Sequence, residues 1–187
     1  MYKIAILALQ GAFAEHQQML LRLGVESLLI RNRRDWDSFI SGSDKENRGL
    51  IIPGGESTTM TRLLHDLDLW DAVREAIIGG MTVFGTCAGL IMLDSAHLDV
   101  MNITARRNAY GRQLGSFMTT DSFGKDVIPM TFIRAPYIET VGEGVEVLSE
   151  VDGKIVAARQ KNMLVTAFHP ELNEDLTVHK YFLSLIH

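Results

Sequence analysis

A single cysteine stands among 187 residues, so no disulfide can close within the chain and no multi-cysteine metal site can form. That usage suits a reducing compartment, and a cytoplasmic location is expected. An excess of positive charge is also lacking. Eighteen Lys and Arg face 23 Asp and Glu, and the net charge of −5 offers no global attraction to nucleic acid or to an anionic membrane. Long apolar runs are missing too. The N-terminal stretch Ile4-Ala5-Ile6-Leu7-Ala8-Leu9 turns polar at Gln10-Gly11, far short of the ~20 residues a membrane span needs. It lacks a cleavage region before Glu15 and His16, so it reads as a first β-strand rather than a signal peptide. Repeats and low-complexity tracts are absent. What is present is 47% hydrophobic residues in a chain long enough to bury roughly 70% of its unfolded surface. One domain over residues 1–187, with a core that needs no staple, is therefore expected.

Strand-like and helix-like patterns alternate through the first half. An apolar run at 3–9 leads to a helical pattern over 12–23 that ends at Gly24, and then to strands at 25–30 and 49–52. Helical patterns at 57–66 and 68–79 precede a strand at 81–85 and a helix from Ala88 onward. Short apolar runs of this kind suit strands covered on both faces. Their alternation with helices predicts right-handed crossovers and a three-layer α/β sandwich around a mostly parallel sheet. Residues 31–48, rich in Arg, Asp, Ser, Gly and Asn, read as a long surface loop with a short helical turn near Trp36 and Phe39. Beyond residue 100 the pattern shifts to β-rich pieces at 114–121, 128–133, 145–149, 154–160 and 163–168, closed by a helix over 174–186.

The chemistry begins at Gly85-Thr86-Cys87-Ala88-Gly89, a thiol nucleophile elbow where a strand passes into a helix. Flanking glycines permit a sharp turn and keep bulk from the sulfur, while a helix N-terminus favours thiolate. A lone cysteine is more often a buried structural residue; its place between two glycines at this corner reverses that expectation. The Ala88 N–H is a natural oxyanion donor. Of six histidines, His169 has the address of a base. It ends the apolar strand 163–168 and is followed by Pro170 and Glu171. Proline biases residue 169 toward an extended conformation, so the side chains of His169 and Glu171 share one side. Glu171 can then orient the imidazole and stabilise its cation. A solvated strand-end pair is the plainer alternative.

Pro53-Gly54-Gly55-Glu56-Ser57-Thr58-Thr59 is a second strand-to-helix turn. It lacks the Lys of a P-loop. Its paired glycines free one peptide to aim an N–H at a reacting oxygen, and Ser57 or Thr58 is expected to cap the following helix. The basic run Arg106-Arg107-Asn108-Ala109-Tyr110-Gly111-Arg112 and the strand-end Arg134 are each suited to grip a substrate carboxylate. Spacing does not choose between them.

With these residues in view, the P-G-G-E-S-T turn, the G-T-C-A-G elbow and the H-P-E sequence resemble the triad-type, class I glutamine amidotransferases, which implies their flavodoxin-like fold. Leu9-Gln10-Gly11, Arg107–Arg112, Phe132-Ile133-Arg134-Ala135-Pro136 and His169-Pro170-Glu171-Leu172 are similar, more narrowly, to the glutaminase subunits of pyridoxal 5′-phosphate synthases. The resemblance spans nearly the whole chain. It implies Cys87 as nucleophile with His169 and Glu171 as its relay. It also implies glutamine held by Gly55, Glu56, Ser57, Arg107, Ile133 and Arg134, with oxyanion donors from Gly54, Gly55 and Ala88. A thioester intermediate, release of glutamate and ammonia, and a barrel-shaped synthase partner in vitamin B6 biosynthesis follow from it. No metal or organic cofactor is demanded, pyridoxal phosphate being the product of the complete complex. Another class I glutaminase, a cysteine stress-response protein of the same fold and an idle regulatory module are the competing readings.

Overall fold

The computed structural model describes residues 1–107 and 116–187. The first apolar run forms β1 (Lys3–Leu7), in which Ile4, Ala5, Ile6 and Leu7 are fully buried, as a strand covered on both faces requires. Helix α1 (Phe13–Arg22) follows and turns His16, Met19 and Leu20 inward, the i, i+3, i+4 stripe of an amphipathic helix. Strand β2 (Glu26–Ile30) then pairs with β1 in parallel.

Residues 31–48 depart from the expected loop. They hold a helix, α2 (Arg33–Ser41), and a 3-10 turn, Lys45–Asn47. Asn32 caps α2 by accepting the Asp35 N–H at 2.9 Å, and Trp36 and Phe39, three apart, are buried on its inner face. Burying two such side chains contributes ~2–3 kcal/mol each, which outweighs the polar composition that made the segment look like a loop.

Strand β3 (Arg48–Ile52), helices α3 (Ser57–Asp66) and α4 (Trp70–Ile78), strand β4 (Thr82–Thr86) and the short, wholly buried α5 (Ala88–Leu93) complete the first half. The second half contributes β5 (Ile103–Arg106), β6 (Ser116–Phe123), β7 (Asp126–Ile133), β8 (Tyr137–Val141), β9 (Val145–Val151), β10 (Lys154–Gln160) and β11 (Met163–Thr166). Helix α6 (Thr177–Ser184) closes the chain. The main sheet runs β2-β1-β3-β4-β11-β10-β8-β5, with β9 also on β10, while β6 and β7 form a separate hairpin. From β2 through β11 all pairings are parallel; β10, β8 and β5 extend the sheet in antiparallel fashion. The result is an α/β fold with a central, mostly parallel sheet flanked by helices.

Two strands, β5 and β8, were not expected from the pattern. β5 has one buried residue and β8 one, so neither carries a clear alternation. Buried Asp94 secures this region instead. Its Oδ1 accepts the Ala96 N–H at 2.9 Å, and its Oδ2 accepts the Ala105 N–H at 3.2 Å, tying the end of α5 to β5. The closing helix is shorter than its apolar pattern at both ends, starting at Thr177, whose N–H donates to Asp175 Oδ1 at 2.9 Å, and ending at Ser184.

The parallel strands matter for function because their C-terminal ends converge. Gln10 and Gly11 follow β1, Gly54 and Gly55 follow β3, Cys87 follows β4, and His169 lies beyond β11. Sites in open α/β sheets form in this crevice. Among the described residues no helix is long and apolar enough to cross a membrane.

Candidate active site

Cys87 adopts φ 51°, ψ −103°, a region sparsely populated by residues with a Cβ and retained only where surroundings enforce it. The enforcement is visible. Its N–H donates to the Thr166 carbonyl of β11 at 2.8 Å, and its carbonyl accepts from Leu90 and Ile91 in α5. The flanking glycines serve close packing: a Cβ on Gly89 would overlap the Ile52 carbonyl oxygen, and one on Gly85 the Gly89 carbonyl. As the first residue of α5, Ala88 has an N–H with no carbonyl one turn back to receive it.

His169 is fixed from the hairpin, its N–H donating to the Thr131 carbonyl of β7 at 2.8 Å. Its Nδ1 lies 2.6 Å from Glu171 Oε1, and both residues are buried. They meet through a 3-10 turn, Pro170–Leu172, rather than along an extended chain. Proline's fixed φ suits the first position of such a turn, so the expected pairing arises by a different local geometry. Burial by itself would lower the His169 pKa. Its hydrogen bonds and charge contacts with Cys87 and Glu171 prevail and push it up to about 10, so the ring is cationic near neutral pH. Cys87 Sγ also lies 4.0 Å from the Ile133 carbonyl oxygen.

The opposite wall is backbone. Gly54 packs so closely that a Cβ on it would overlap His169 Cε1. Gly55 has φ 144°, and Gly11 has φ 81° with the Gly54 carbonyl oxygen where its Cβ would be. In a trans peptide the Gly55 N–H therefore points away from Gly11. Gln10 Oε1 braces the turn by accepting the Glu56 N–H at 2.8 Å.

The cap of α3 is Glu56, not Ser57 or Thr58. Its carboxylate accepts the Thr59 hydroxyl at 2.7 Å and the Thr59 and Thr58 N–H groups at 2.6 and 3.0 Å. Those bonds, the Thr59 hydroxyl foremost, hold its pKa at about 2. The longer side chain reaches the free N–H groups from one position earlier, leaving Ser57 as the buried first residue of the helix. Arg107 Nη1 donates to Thr58 Oγ1 at 3.2 Å, which brings that guanidinium to the same rim. Arg106 pairs instead with Glu139 at 2.8 Å. Exposed Arg134, at φ 45°, directly follows Ile133. Asn108–Arg112 of the basic run lie outside the described residues.

The geometry thus gathers Cys87, Ala88, Gly54, Gly55, Ile133, His169 and Glu171, with Glu56, Ser57 and Arg107 at the edges and Arg134 next to Ile133 in the chain. Behind this set lie His16, Thr86 and His179, which no motif in the sequence marks. His16 Nε2 lies 3.5 Å from Glu171 Oε2, and His16 Nδ1 2.9 Å from His179 Nε2. Their separation along the chain leaves no local signal. Among the described residues no group of three or more His, Cys, Asp or Glu could hold a metal ion.

A buried thiol beside an imidazolium held by a carboxylate is equipped for acyl transfer. The chain is 53% identical to pyridoxal 5′-phosphate synthase subunit PdxT of Streptococcus pneumoniae strain JJA, covering 98% of this chain and 97% of that protein. It superposes on a solved glutamine amidotransferase with a TM-score of 0.86 at 39% identity, covering 98% of both chains. The solved structure of PurLQS from Thermotoga maritima contains a chain that shares the fold at 12% identity, with a TM-score of 0.67 over 100% of this chain and 99% of that one. The SNO glutamine amidotransferase family matches residues 6–187, and this chain belongs to that family.

Proposed function

We propose that residues 1–187 form a single glutaminase domain that hydrolyses L-glutamine to L-glutamate and ammonia, and that it works as the glutaminase subunit of a pyridoxal 5′-phosphate synthase. The 53% identity to PdxT over 98% of the chain supports the assignment to that complex. The observation that carries the chemistry is the buried 2.6 Å His169–Glu171 contact beside Cys87.

In this reading Cys87 thiolate attacks the glutamine carboxamide carbon. The carbonyl oxygen becomes an oxyanion, met by N–H groups from Ala88 and the Gly54–Gly55 turn. Collapse breaks the C–N bond as protonated His169 gives its proton to the departing nitrogen, leaving ammonia and a thioester on Cys87. Neutral His169 then takes a proton from water as its oxygen attacks the thioester; glutamate leaves and the thiolate–imidazolium pair is restored. Glu171 keeps the imidazole oriented throughout. Gly55, Glu56, Ser57, Arg107, Ile133 and Arg134 line the glutamine site, with an arginine taking the α-carboxylate. Because Glu56 is committed to capping α3, it contributes mainly by fixing the turn.

Ammonia protonated in water is no nucleophile, so hydrolysis belongs beside an acceptor, here a barrel-shaped synthase subunit receiving ammonia directly. The Gly54–Gly55 peptide packs against Gly11. Docking at the Gln10–Gly11 segment would therefore select its oxyanion-binding orientation and couple hydrolysis to the partner. Glutamate release by the purified chain, alone and with rising synthase, tests the assignment. Weak activity alone and a large rise with partner are expected. Absence of glutamate release under both conditions would end it.

A further inference from the structure

His16 on α1 and His179 on α6 are fully buried, and the mechanism above uses neither. Glu171 Oε1 holds His169, but Oε2 is buried with no hydrogen-bond partner among the described residues. A buried carboxylate oxygen without a donor is costly. The polar group facing it is His16 Nε2, at 3.5 Å, which also lies 3.1 Å from Thr86 Oγ1. On its other edge His16 Nδ1 meets His179 Nε2 at 2.9 Å.

We propose that His16 and His179 are positioning residues for glutamine hydrolysis: His179 Nε2–H donates to His16 Nδ1, which turns the His16 Nε2–H toward Thr86 Oγ1 and Glu171 Oε2 and so fixes the carboxylate that orients His169. The proposal rests on the triad reading given above.

The direction of this chain follows from satisfying its atoms. With protons on both Nε2 atoms, each N–H of the two rings has an acceptor, and His179 Nδ1, which has no partner among the described residues, is left with only a lone pair. The reverse arrangement would aim a His16 lone pair at the Glu171 carboxylate and strand a buried His179 N–H. Orphaned N–H groups are the rarer and costlier defect. Burial favours the neutral form of both rings. Burial foremost, then the neighbouring His179 and His169, holds His16 well below its ordinary value, and burial lowers His179 to about 4. The groups facing His16 are His179 from α6, Thr86 and the Phe84 ring from β4, and Glu171 from the 3-10 turn, with His169 behind it.

Nitrogen-15 NMR of the full-length chain reads the tautomers directly. Both histidines neutral and Nε2-protonated is the expected result; an Nδ1-protonated or cationic His16 overturns the proposal. Kinetics with the synthase subunit supply the second arm. His16→Met fills the space without a donor and should lower kcat ~10- to 100-fold, as loss of a hydrogen bond to a charged group implies, with KM changed less than about twofold. His16→Gln, which can place an N–H near the Nε2 position, should recover most of kcat. A carboxylate without a donor takes up a proton at higher pH, so the acid limb of Cys87 alkylation should move upward in His16→Met and return in His16→Gln. Equal losses in both variants with an unmoved pH profile would mean that His16 only packs. Should His16→Met fail to fold, the tautomer measurement decides. Hydrolysis retained by Cys87→Ala would sink the triad reading itself. Hydrolysis lost in Cys87→Ala but unchanged in a folded His16→Met sinks only the positioning role.

Discussion

The two walls around Cys87 are built on opposite plans. On the β11 side, buried side chains define the wall: His169 and Glu171 at 2.6 Å, backed by His16 and His179 at 2.9 Å. On the β1 and β3 side the wall is glycine backbone, Gly54 and Gly55 laid against Gly11. The first wall stores its function in charge and hydrogen bonding, and loss of a charge or of a donor should damage it. The second stores it in close approach, where any added Cβ is the threat.

The strongest challenge to this comparison is made at the sulfur and its relay. Cys87→Ala should remove hydrolysis by on the order of 10⁴-fold or more, as loss of a nucleophile does, with synthase binding retained. Glu171→Gln keeps the shape but not the charge and should cost ~10²–10⁴-fold in kcat. Steady-state kinetics with saturating synthase measure both. A fully active Glu171→Gln would remove the charge argument for the first wall.

Gly54→Ala and Gly11→Ala probe the second wall. Each adds one methyl group into occupied space, the second also at a positive φ. We expect ~10²-fold lower synthase-stimulated hydrolysis, the cost of misplacing a reacting group by about 1 Å, while Cys87 alkylation by a small neutral reagent persists. Alkylation lost in parallel with hydrolysis would show one wall where two are described.

Arg107→Ala or Arg134→Ala should act more mildly. Loss of a charge-assisted carboxylate contact is worth ~10-fold or somewhat more in KM for glutamine, with alkylation unchanged. A fall in kcat at constant KM would assign these arginines elsewhere.

A separate pair of effects concerns stability against pH rather than turnover. The folded pKa of His169, about 10, exceeds the ordinary 6.5, so its contribution is complete below about pH 6.5 and is lost as pH rises toward 10. His179 behaves in reverse. With a folded value of about 4, it stays neutral while the unfolded chain takes up a proton, so stability falls as pH drops from about 6.5 to 4. Chemical denaturation of His169→Gln and His179→Gln should flatten the alkaline and acid slopes respectively. Wild-type slopes in both variants would contradict these assignments.

Most of the architecture was legible because local signals and tertiary demands coincide. The runs at β1, β3 and β4 are apolar throughout since both faces of those strands are covered, and helix α3 spans Ser57–Asp66 as its pattern predicts. Helix α2 was obscured because only Trp36 and Phe39 carry its buried face amid charged neighbours. β5 and β8 are held by edge pairing rather than by a buried stripe. In the candidate site, Cys87 and the His169–Glu171 pair were readable because each motif is local in the chain. His16 and His179 were not, since 163 residues separate two rings that only the folded sheet brings together. The α3 cap lies one or two residues before the expected Ser57 or Thr58 because glutamate reaches farther than the shorter residues that usually cap helices.

The central claim is that Cys87 forms a covalent acyl intermediate with glutamine. Treating the chain and its synthase with a glutamine-like diazoketone, followed by peptide mass mapping, tests that claim at the atom concerned. One adduct per chain is expected, on Cys87, blocked by excess glutamine and accompanied by complete loss of glutamate release. An adduct on another residue with Cys87 unmodified, or full hydrolysis by a stoichiometrically labelled protein, would contradict it.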